Sequence, residues 1–199
     1  MRTLNIHTIF GILFLFLSTS YSCQNTDQLK KMVKDTKSSM QKGYILEKEK
    51  ICDLNNDHKE DIVLVYKPKN VDREIESFDT PIILVLSKNN DYIKIKNSNI
   101  LYSYIPDNSV LNNNLVIKNE FFTLEQTEGN GSNKKKTYVT FKFDKSSKQI
   151  LLSKYGIETS FPGKKGIITK TQIFSIKDFG KISFEDFDSA SISSMIKTQ

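Results

Sequence analysis

The sequence predicts an α+β fold in which an N-terminal helix packs on a predominantly antiparallel β-sheet. Near the start of the chain, apolar residues recur at helical spacing. From Tyr44 onward, short runs rich in β-branched and aromatic residues are separated by Asn, Asp, Gly and Pro, which is typical of strands joined by turns. Several of these runs alternate apolar and polar residues, as strands with one buried face do.

Residues 1–22 are predicted to be a signal peptide that is absent from the mature protein. Arg2 precedes the apolar run Ile9–Leu17, which is too short to cross a bilayer and has the flanks of a cleaved secretory signal. We therefore expect an exported protein of a bacterial cell envelope, either tethered there or free in the periplasm or medium. Residues 23–199 are long enough to form a single domain with its own core.

The residues before Cys23 resemble the lipobox of bacterial lipoproteins. In that family the Cys becomes the acylated first residue, so the resemblance of Ser20–Cys23 implies lipidation of Cys23 and attachment to a membrane. The usual Leu, and the usual Ala or Gly before the Cys, are replaced here by Ser20 and Ser22, which equally suit ordinary signal peptidase. Simple secretion is therefore the alternative. Cys52, the second of two cysteines, is expected to be a small buried apolar residue.

The predicted helix lies within residues 25–41. Its apolar stripe consists of Leu29, Met32, Val33, Thr36 and Met40, and Asn25 or Thr26 is suited to cap its start. We expect this stripe to pack on the sheet.

Nine strands are predicted after the helix. They cover residues 44–52, 61–67, 80–88, 91–97, 114–119, 121–128, 136–143, 149–159 and 167–175. The second and third are continuously apolar, which predicts central strands covered on both sides. In the seventh, Val139, Phe141 and Phe143 alternate with polar or amphipathic residues, so one of its faces should be buried.

The turn Asp53–Asp61 has the composition of a cation-binding loop. Asp53, Asn55 and Asp57 place oxygen donors at alternating positions, the Lys59 carbonyl follows, and Asp61 closes the set. Hard oxygen donors with three carboxylates favour Ca²⁺ over zinc or copper. The loop is not an EF-hand, because Leu64 stands where a bidentate Glu is required and the flanks are predicted strands.

This strand-flanked loop resembles the calcium loop of FG-GAP or VCBS-type repeats. The pattern D-x-[DN]-x-D-G-x-x-D is matched at Asp53, Asn55, Asp57 and Asp61, with His58 in place of Gly. Left-handed backbone is costly for most residues at such a position, but His is among the better tolerated. The resemblance implies one calcium ion that staples a hairpin. The alternative is a polar turn, since Asp and Asn side chains also bind their own backbone.

A wider resemblance covers most of the mature chain. The segments Asp53–Asp61, Pro81–Leu86, Gly129–Phe143 and Asp178–Asp188, in that order, are similar to those of a group of small secreted or lipid-anchored proteins of Bacteroidota-type bacteria. This resemblance implies a location and a fold, and no reaction.

The charge pattern does not favour a nucleic-acid partner. The formal net charge is +6, but the positive residues are dispersed, and the one tight cluster, Lys134–Lys136, is predicted to lie in a solvated hairpin loop. Such an excess suits anionic envelope surfaces or acidic partners.

Catalysis is not predicted. His58 is the only His after residue 22, and the calcium-loop pattern gives it a backbone role, so a His-dependent triad has no second candidate. The remaining enzymatic alternative is a carboxylate-based hydrolase that uses Glu47 with Glu49, or Glu74, Glu76 and Asp79.

Two non-catalytic functions are predicted instead. The first is an envelope-tethered or secreted binding module that takes an envelope protein or a glycan through an exposed sheet face and the loop Tyr102–Asn108. The second is an inhibitor or immunity-type protein directed against a secreted enzyme or toxin.

Overall fold

The computed structural model describes residues 27–69, 79–101, 110–130 and 132–197. Antiparallel strands dominate this part, which confirms the predicted β-rich class. All nine predicted strands are present: β1 Tyr44–Cys52, β2 Asp61–Pro68, β3 Ile82–Lys88, β4 Asp91–Asn97, β5 Val110–Lys118, β6 Phe121–Asn130, β7 Asn133–Asp144, β8 Gln149–Gly163 and β9 Gly166–Ser175.

The prediction of one sheet is wrong, because the strands form two. Sheet 1 has the order β1-β2-β3-β4 and sheet 2 the order β5-β6-β7-β8-β9. Each strand pairs with its sequence neighbour in an antiparallel register, except that β4 does not pair with β5. Both sheets have an apolar inner face, and packing these faces together buries more apolar surface than one continuous open sheet would.

Several predictions fall outside the described residues. These are the signal peptide 1–22, lipidation of Cys23, the helix cap at Asn25 or Thr26, the carboxylates Glu74 and Glu76, and the loop Tyr102–Asn108.

Helix α1 covers residues 27–40 and packs on the outer face of sheet 1. Leu29 and Val33 are buried there against β2 and β3, and Met32 and Met40 pack at the margin. The first six residues of β2 and of β3 are buried without alternation, as predicted for central strands covered on both sides.

The main core lies between the two sheets and is closed by the C-terminal segment. Two short helices in that segment, α2 (Ile176–Phe179) and α3 (Ser189–Lys197), were not predicted, so a description with one N-terminal helix is incomplete. Phe184 and Phe187, between these helices, insert against Phe141 with ring centroids 5.3 and 5.5 Å away. Among the described residues, no helix has the length and apolar character needed to span a bilayer.

Lys134–Lys136 were predicted in a hairpin loop and instead lie within β7. The loop is shorter than expected, because Gly129, with a φ of 96°, and Asn130 already pair with Lys134 and Asn133 across β6 and β7. Lys136 is held by Glu125 of the neighbouring strand, with 3.3 Å between Nζ and Oε2.

Asp188 caps α3, and its removal should weaken the C-terminal closure of the core. Its Oδ2 accepts hydrogen bonds from the Ser191 hydroxyl (2.6 Å) and the Ser191 N–H (2.9 Å). Asp188→Ala should lower the free energy of unfolding by about 1 kcal/mol at pH 7, as loss of an N-cap does. Urea unfolding measures this, with the exposed neighbour Glu185→Ala as a control that should show little change.

The same variant should show a defined pH dependence. The hydrogen bond from the Ser191 hydroxyl, followed by the backbone N–H groups, lowers the pKa of Asp188 from the ordinary 3.8. A lowered folded-state pKa gives a stabilisation that is complete above the unfolded value and is lost as the pH falls through the folded value. The difference between wild type and Asp188→Ala should therefore shrink below pH 3.8. A difference that stays constant in acid would contradict this role.

Candidate functional site

The β1–β2 loop begins at Asp53 and leads into β2 at Asp61. Two of its residues have left-handed backbone, Asn56 with φ 58° and His58 with φ 63°. His58 thus adopts a left-handed backbone that is more often found at Gly. These two left-handed residues curl the loop. The side chains of Asp53 and Asn55 therefore accept hydrogen bonds from N–H groups later in the loop.

Asp61 is the buried anchor of this loop. Its side chain is fully buried, its Oδ2 accepts the Leu54 N–H (2.7 Å) and the Asn55 N–H (3.4 Å), and its Oδ1 accepts the Ser87 N–H (2.7 Å). Burial raises the pKa of Asp61 above 3.8, and these hydrogen bonds lower it by a smaller amount. One carboxylate therefore joins the loop to the end of β3.

Asp53, Asn55 and Asp57 form a more exposed rim above Asp61. Asp53 accepts the N–H groups of Asp57 (3.1 Å) and His58 (2.9 Å), and Asn55 accepts the Asp57 N–H (3.0 Å). Asp57 accepts the Lys59 N–H (3.0 Å). These are local side-chain-to-backbone bonds of the kind that stabilise polar turns.

Ser87 of β3 is a part of the site that the sequence did not reveal. Its hydroxyl donates to Asp57 Oδ2 (2.7 Å), and its hydroxyl and carbonyl oxygens accept from the Asn55 amide (2.9 and 2.8 Å). Ser87 lies near the end of a buried apolar strand, where a polar residue is common. No sequence pattern therefore marked it as part of a site. The Lys59 ammonium adds a second link by donating to the Asn89 carbonyl.

The loop creates a negative electrostatic environment. Tyr92 lies beneath it, and its pKa is raised by burial and then by the charges of Asp61 and Asp57. Burial, followed by the charges of Asp61 and Asp53, raises the pKa of the half-buried Cys52 to about 12. The thiol is therefore protonated at neutral pH and is a poor nucleophile, which agrees with its predicted role as a small apolar residue.

The donors suit a hard cation, although their arrangement is that of a hydrogen-bonded turn. Within the described ranges, no three His, Cys, Asp or Glu side chains are close enough together to hold a metal ion. A carboxylate oxygen that accepts one N–H bond retains a second lone pair, so Asp53 and Asp57 have acceptor capacity left. Calcium binding by Asp53, Asn55, Asp57, the Lys59 carbonyl and Asp61 stays a prediction.

The carboxylates Glu47 and Glu49, named for the hydrolase alternative, lie on β1. A bulge lies between Leu46 and Lys48, so Glu47 is the residue at which the β1–β2 register shifts. Glu49 is bound by Lys37 of α1, with 2.7 Å between Nζ and Oε2.

A second candidate site, which the sequence analysis missed, lies on strand β9. The first eight residues of β9 are exposed, and three of them are isoleucines that we call the β9 surface: Ile167 (65% exposed), Ile168 (44%) and Ile173 (69%). Residues 167–175 were predicted only as one of nine strands, and the topology shows that β9 is the last strand of sheet 2.

A shallow depression of about 260 Å³ borders Ile173 on the outer face of sheet 2, lined by Tyr138, Thr140, Lys154, Gly156, Glu158, Thr171 and Ile173. Gly156 pairs with Ile173 and contributes no side chain, which keeps the depression open. Its size is below that of most small-molecule pockets but is sufficient for one partner side chain.

No protein-family model matches the chain, and neither the curated proteins nor the solved structures searched contain a match. The two candidate sites therefore have to be judged by their own geometry.

Proposed function

We propose that the protein is an exported, envelope-tethered or secreted, non-catalytic binding module that engages a partner protein through the β9 surface. The observation that carries this proposal is the concentration of exposed isoleucine on one strand. Large apolar side chains gain free energy from burial, so exposed isoleucines on one strand favour burial against a partner.

The neighbouring features support a protein rather than a glycan as the partner. Ile167 and Ile173 lie on the same face of β9, and the depression beside Ile173 offers a place for an apolar side chain. The three isoleucines of the β9 surface are aliphatic and cannot form hydrogen bonds with sugar hydroxyls. The basic excess of the chain would add attraction toward an acidic partner.

The test is capture of a partner from envelope extract by the chain from residue 24 onward, compared with a double variant Ile167→Lys and Ile173→Lys. Because both residues are mostly exposed, the substitutions should change folding stability by less than about 0.5 kcal/mol. We expect loss of the captured protein at equal loading. Ile51→Lys, at a site that is 59% exposed on β1, is the matched control and should retain it. Equal capture by the double variant would contradict the proposal.

The identity of the captured protein separates two versions of this function. An envelope structural or surface protein supports the binding module. A cognate hydrolase or toxin, inhibited on binding, supports the inhibitor or immunity-type alternative.

We also propose that the β1–β2 loop takes one Ca²⁺ ion as a staple. The supporting observations are the hard oxygen donors, the left-handed backbone of Asn56 and His58 and the negative environment around Tyr92. With a dissociation constant of about 10⁻⁴ to 10⁻³ M, 10 mM Ca²⁺ should raise the free energy of unfolding by about 1.4 to 2.7 kcal/mol. Calorimetric titration after chelator treatment, with melting curves, measures both quantities.

The matched variant for the calcium test is Asp57→Asn, which removes a charge but keeps the size of the side chain and one acceptor oxygen. Both Asp57 oxygens accept hydrogen bonds, so Asp57→Asn should also lower the melting temperature in chelator. The expected result is a smaller calcium-induced rise above that value than in the wild type. No heat of binding and no shift in the wild type would reduce the loop to the polar turn.

A further inference from the structure

The β9 surface lies on a strand whose backbone edge is itself open. β9 is the terminal strand of sheet 2, it has ten residues, and its register with β8 runs without interruption from Ser175 to Gly166. On its other side, no strand of the described residues is paired with it. A regular edge of this length presents a row of N–H and C=O groups that can pair with another chain.

The other three sheet edges have features that oppose such pairing. β1 is bulged between Leu46 and Lys48, β5 is bulged between Val110 and Asn112, and β4 carries the exposed lysines Lys94 and Lys96. Bulges and edge lysines are two common ways in which proteins prevent strand addition. β9 has no bulge and a single lysine, Lys170.

The two faces of β9 carry different side chains, and this difference indicates the chemistry of a partner strand. Ile167 and Ile173 share the outer face with Thr169 and Thr171, whereas Ile168, Lys170 and Gln172 lie on the opposite face. Residues 154–178 contain five lysines and two acids, and one of those acids, Asp178, is bound to the Ser175 N–H and hydroxyl. The outer face of the edge is therefore uncharged, and the opposite face carries one positive charge, that of Lys170, beside Ile168.

A second copy of the chain fits this edge poorly. The antiparallel register that pairs Ile167 with Ile173 of another copy also places Lys170 opposite Lys170. Like charges directly opposite each other destabilise a strand pair. The β8–β9 hairpins of the two copies would also carry the same positive excess.

We propose that β9 binds its partner by strand addition, accepting an extended segment in which apolar residues alternate with acidic ones. This inference rests on the proposed function and specifies its mode. The apolar residues of the segment would lie beside Ile167 and Ile173, and its carboxylates would lie beside Lys170 on the other face. Backbone hydrogen bonds would provide affinity, and this alternation would provide selectivity.

The test uses a capped peptide of about ten residues, the length of the strand, that alternates Val and Glu, with a Val/Lys peptide as its counterpart. Binding to the chain from residue 24 onward is followed at low salt together with hydrogen exchange of the backbone amides. We expect slowed exchange in β9 and binding of the Glu peptide at least about tenfold tighter than that of the Lys peptide. Lys170→Glu, an exposed substitution, should reverse this preference, whereas Lys94→Glu on β4 should not change it.

Two N-methylated forms of the Glu peptide test the backbone contribution. One carries N-methyl groups on every Val and the other on every Glu, so each blocks a different edge of the extended peptide. Strand addition predicts that one form binds and the other does not. Binding of both forms, exchange without change in β9, or equal binding of the Lys peptide would each overturn the proposal, as would dimerisation of the free chain through β9.

The outcomes separate this inference from the proposed function. If a partner is captured from extract through the β9 surface but these peptides do not protect β9, strand addition is wrong and the binding module stands. The peptides could instead bind as described while the double isoleucine variant captures the same proteins as wild type. In that case the proposed function is wrong, and only the binding of acidic peptides to the β9 edge is supported.

Discussion

Asp61→Ala should lower the free energy of unfolding by about 3 to 5 kcal/mol, measured in the presence of chelator so that no metal contributes. The fully buried carboxylate is the acceptor for three backbone N–H groups, those of Leu54, Asn55 and Ser87. Each buried donor left without a partner costs about 1 to 3 kcal/mol, and partial access of water to the emptied space offsets some of this.

Urea unfolding of Asp61→Ala and of its neighbour Glu60→Ala provides the comparison. Glu60 is exposed, so its removal eliminates the same charge from the same loop without removing a buried acceptor. We expect Glu60→Ala to change stability by less than about 0.5 kcal/mol. Asp61→Asn should fall between the two, because it keeps one acceptor oxygen but turns an NH₂ group toward a donor. Similar values for Asp61→Ala and Glu60→Ala would show that the carboxylate does not anchor the loop.

The unfolding of Asp61→Ala in chelator would also distinguish two roles of Asp61, that of a calcium ligand and that of a buried acceptor for the backbone. Asp61 was predicted as the closing ligand of a calcium set, on equal terms with Asp53 and Asp57. In the structure it is a buried acceptor for the protein backbone, whereas the other two lie at the rim. Spacing along the chain identifies the oxygens that a curled loop brings together, but burial depends on β3, which joins the site from outside the loop.

The strand pattern was predictable because it is local. Apolar periodicity and turn residues placed all nine strands, and the continuous apolar character of β2 and β3 identified them as central. The division into two sheets was not predictable, because it depends on where pairing stops, between β4 and β5. For the same reason the sequence did not indicate that β9 is the last strand of its sheet.

The C-terminal closure escaped prediction for a different physical reason. Helix α3, Ser189–Lys197, is rich in Ser, which has only modest helix propensity, and its stability comes from the cap at Asp188 and from packing of Ile192 in the core. Such support is tertiary, so residues 189–197 carry little local helical signal.

Asn97→Ala should lower the free energy of unfolding by about 2 to 4 kcal/mol. Asn97 is buried at the end of β4, and its amide donates to the carbonyls of Phe184 (2.6 Å) and Phe187 (2.8 Å). Its Oδ1 accepts the Asn99 N–H (2.6 Å). One side chain thus joins sheet 1 to the segment that brings two phenylalanines into the main core.

The matched control is Asn99→Ala, which removes the same amide two residues away at an exposed position. Its effect on urea unfolding should be within about 0.5 kcal/mol of zero. A second readout is the environment of the aromatic cluster: loss of Asn97 should reduce near-ultraviolet circular dichroism before global unfolding, because Phe184 and Phe187 lose their anchor. An unchanged aromatic signal in Asn97→Ala would mean that the phenylalanine packing alone holds the closure.

Asn97→Asp tests whether donation by the amide is the essential contribution. At neutral pH the carboxylate would face two carbonyl oxygens with no proton to donate, so we expect a loss at least as large as in Asn97→Ala. Burial and these carbonyls should raise the pKa of the new carboxyl in the folded state. A raised folded-state pKa means that the folded form binds the proton more tightly than the unfolded form, so the deficit should diminish as the pH falls toward 4. A deficit that grows in acid would show that the position requires only an acceptor.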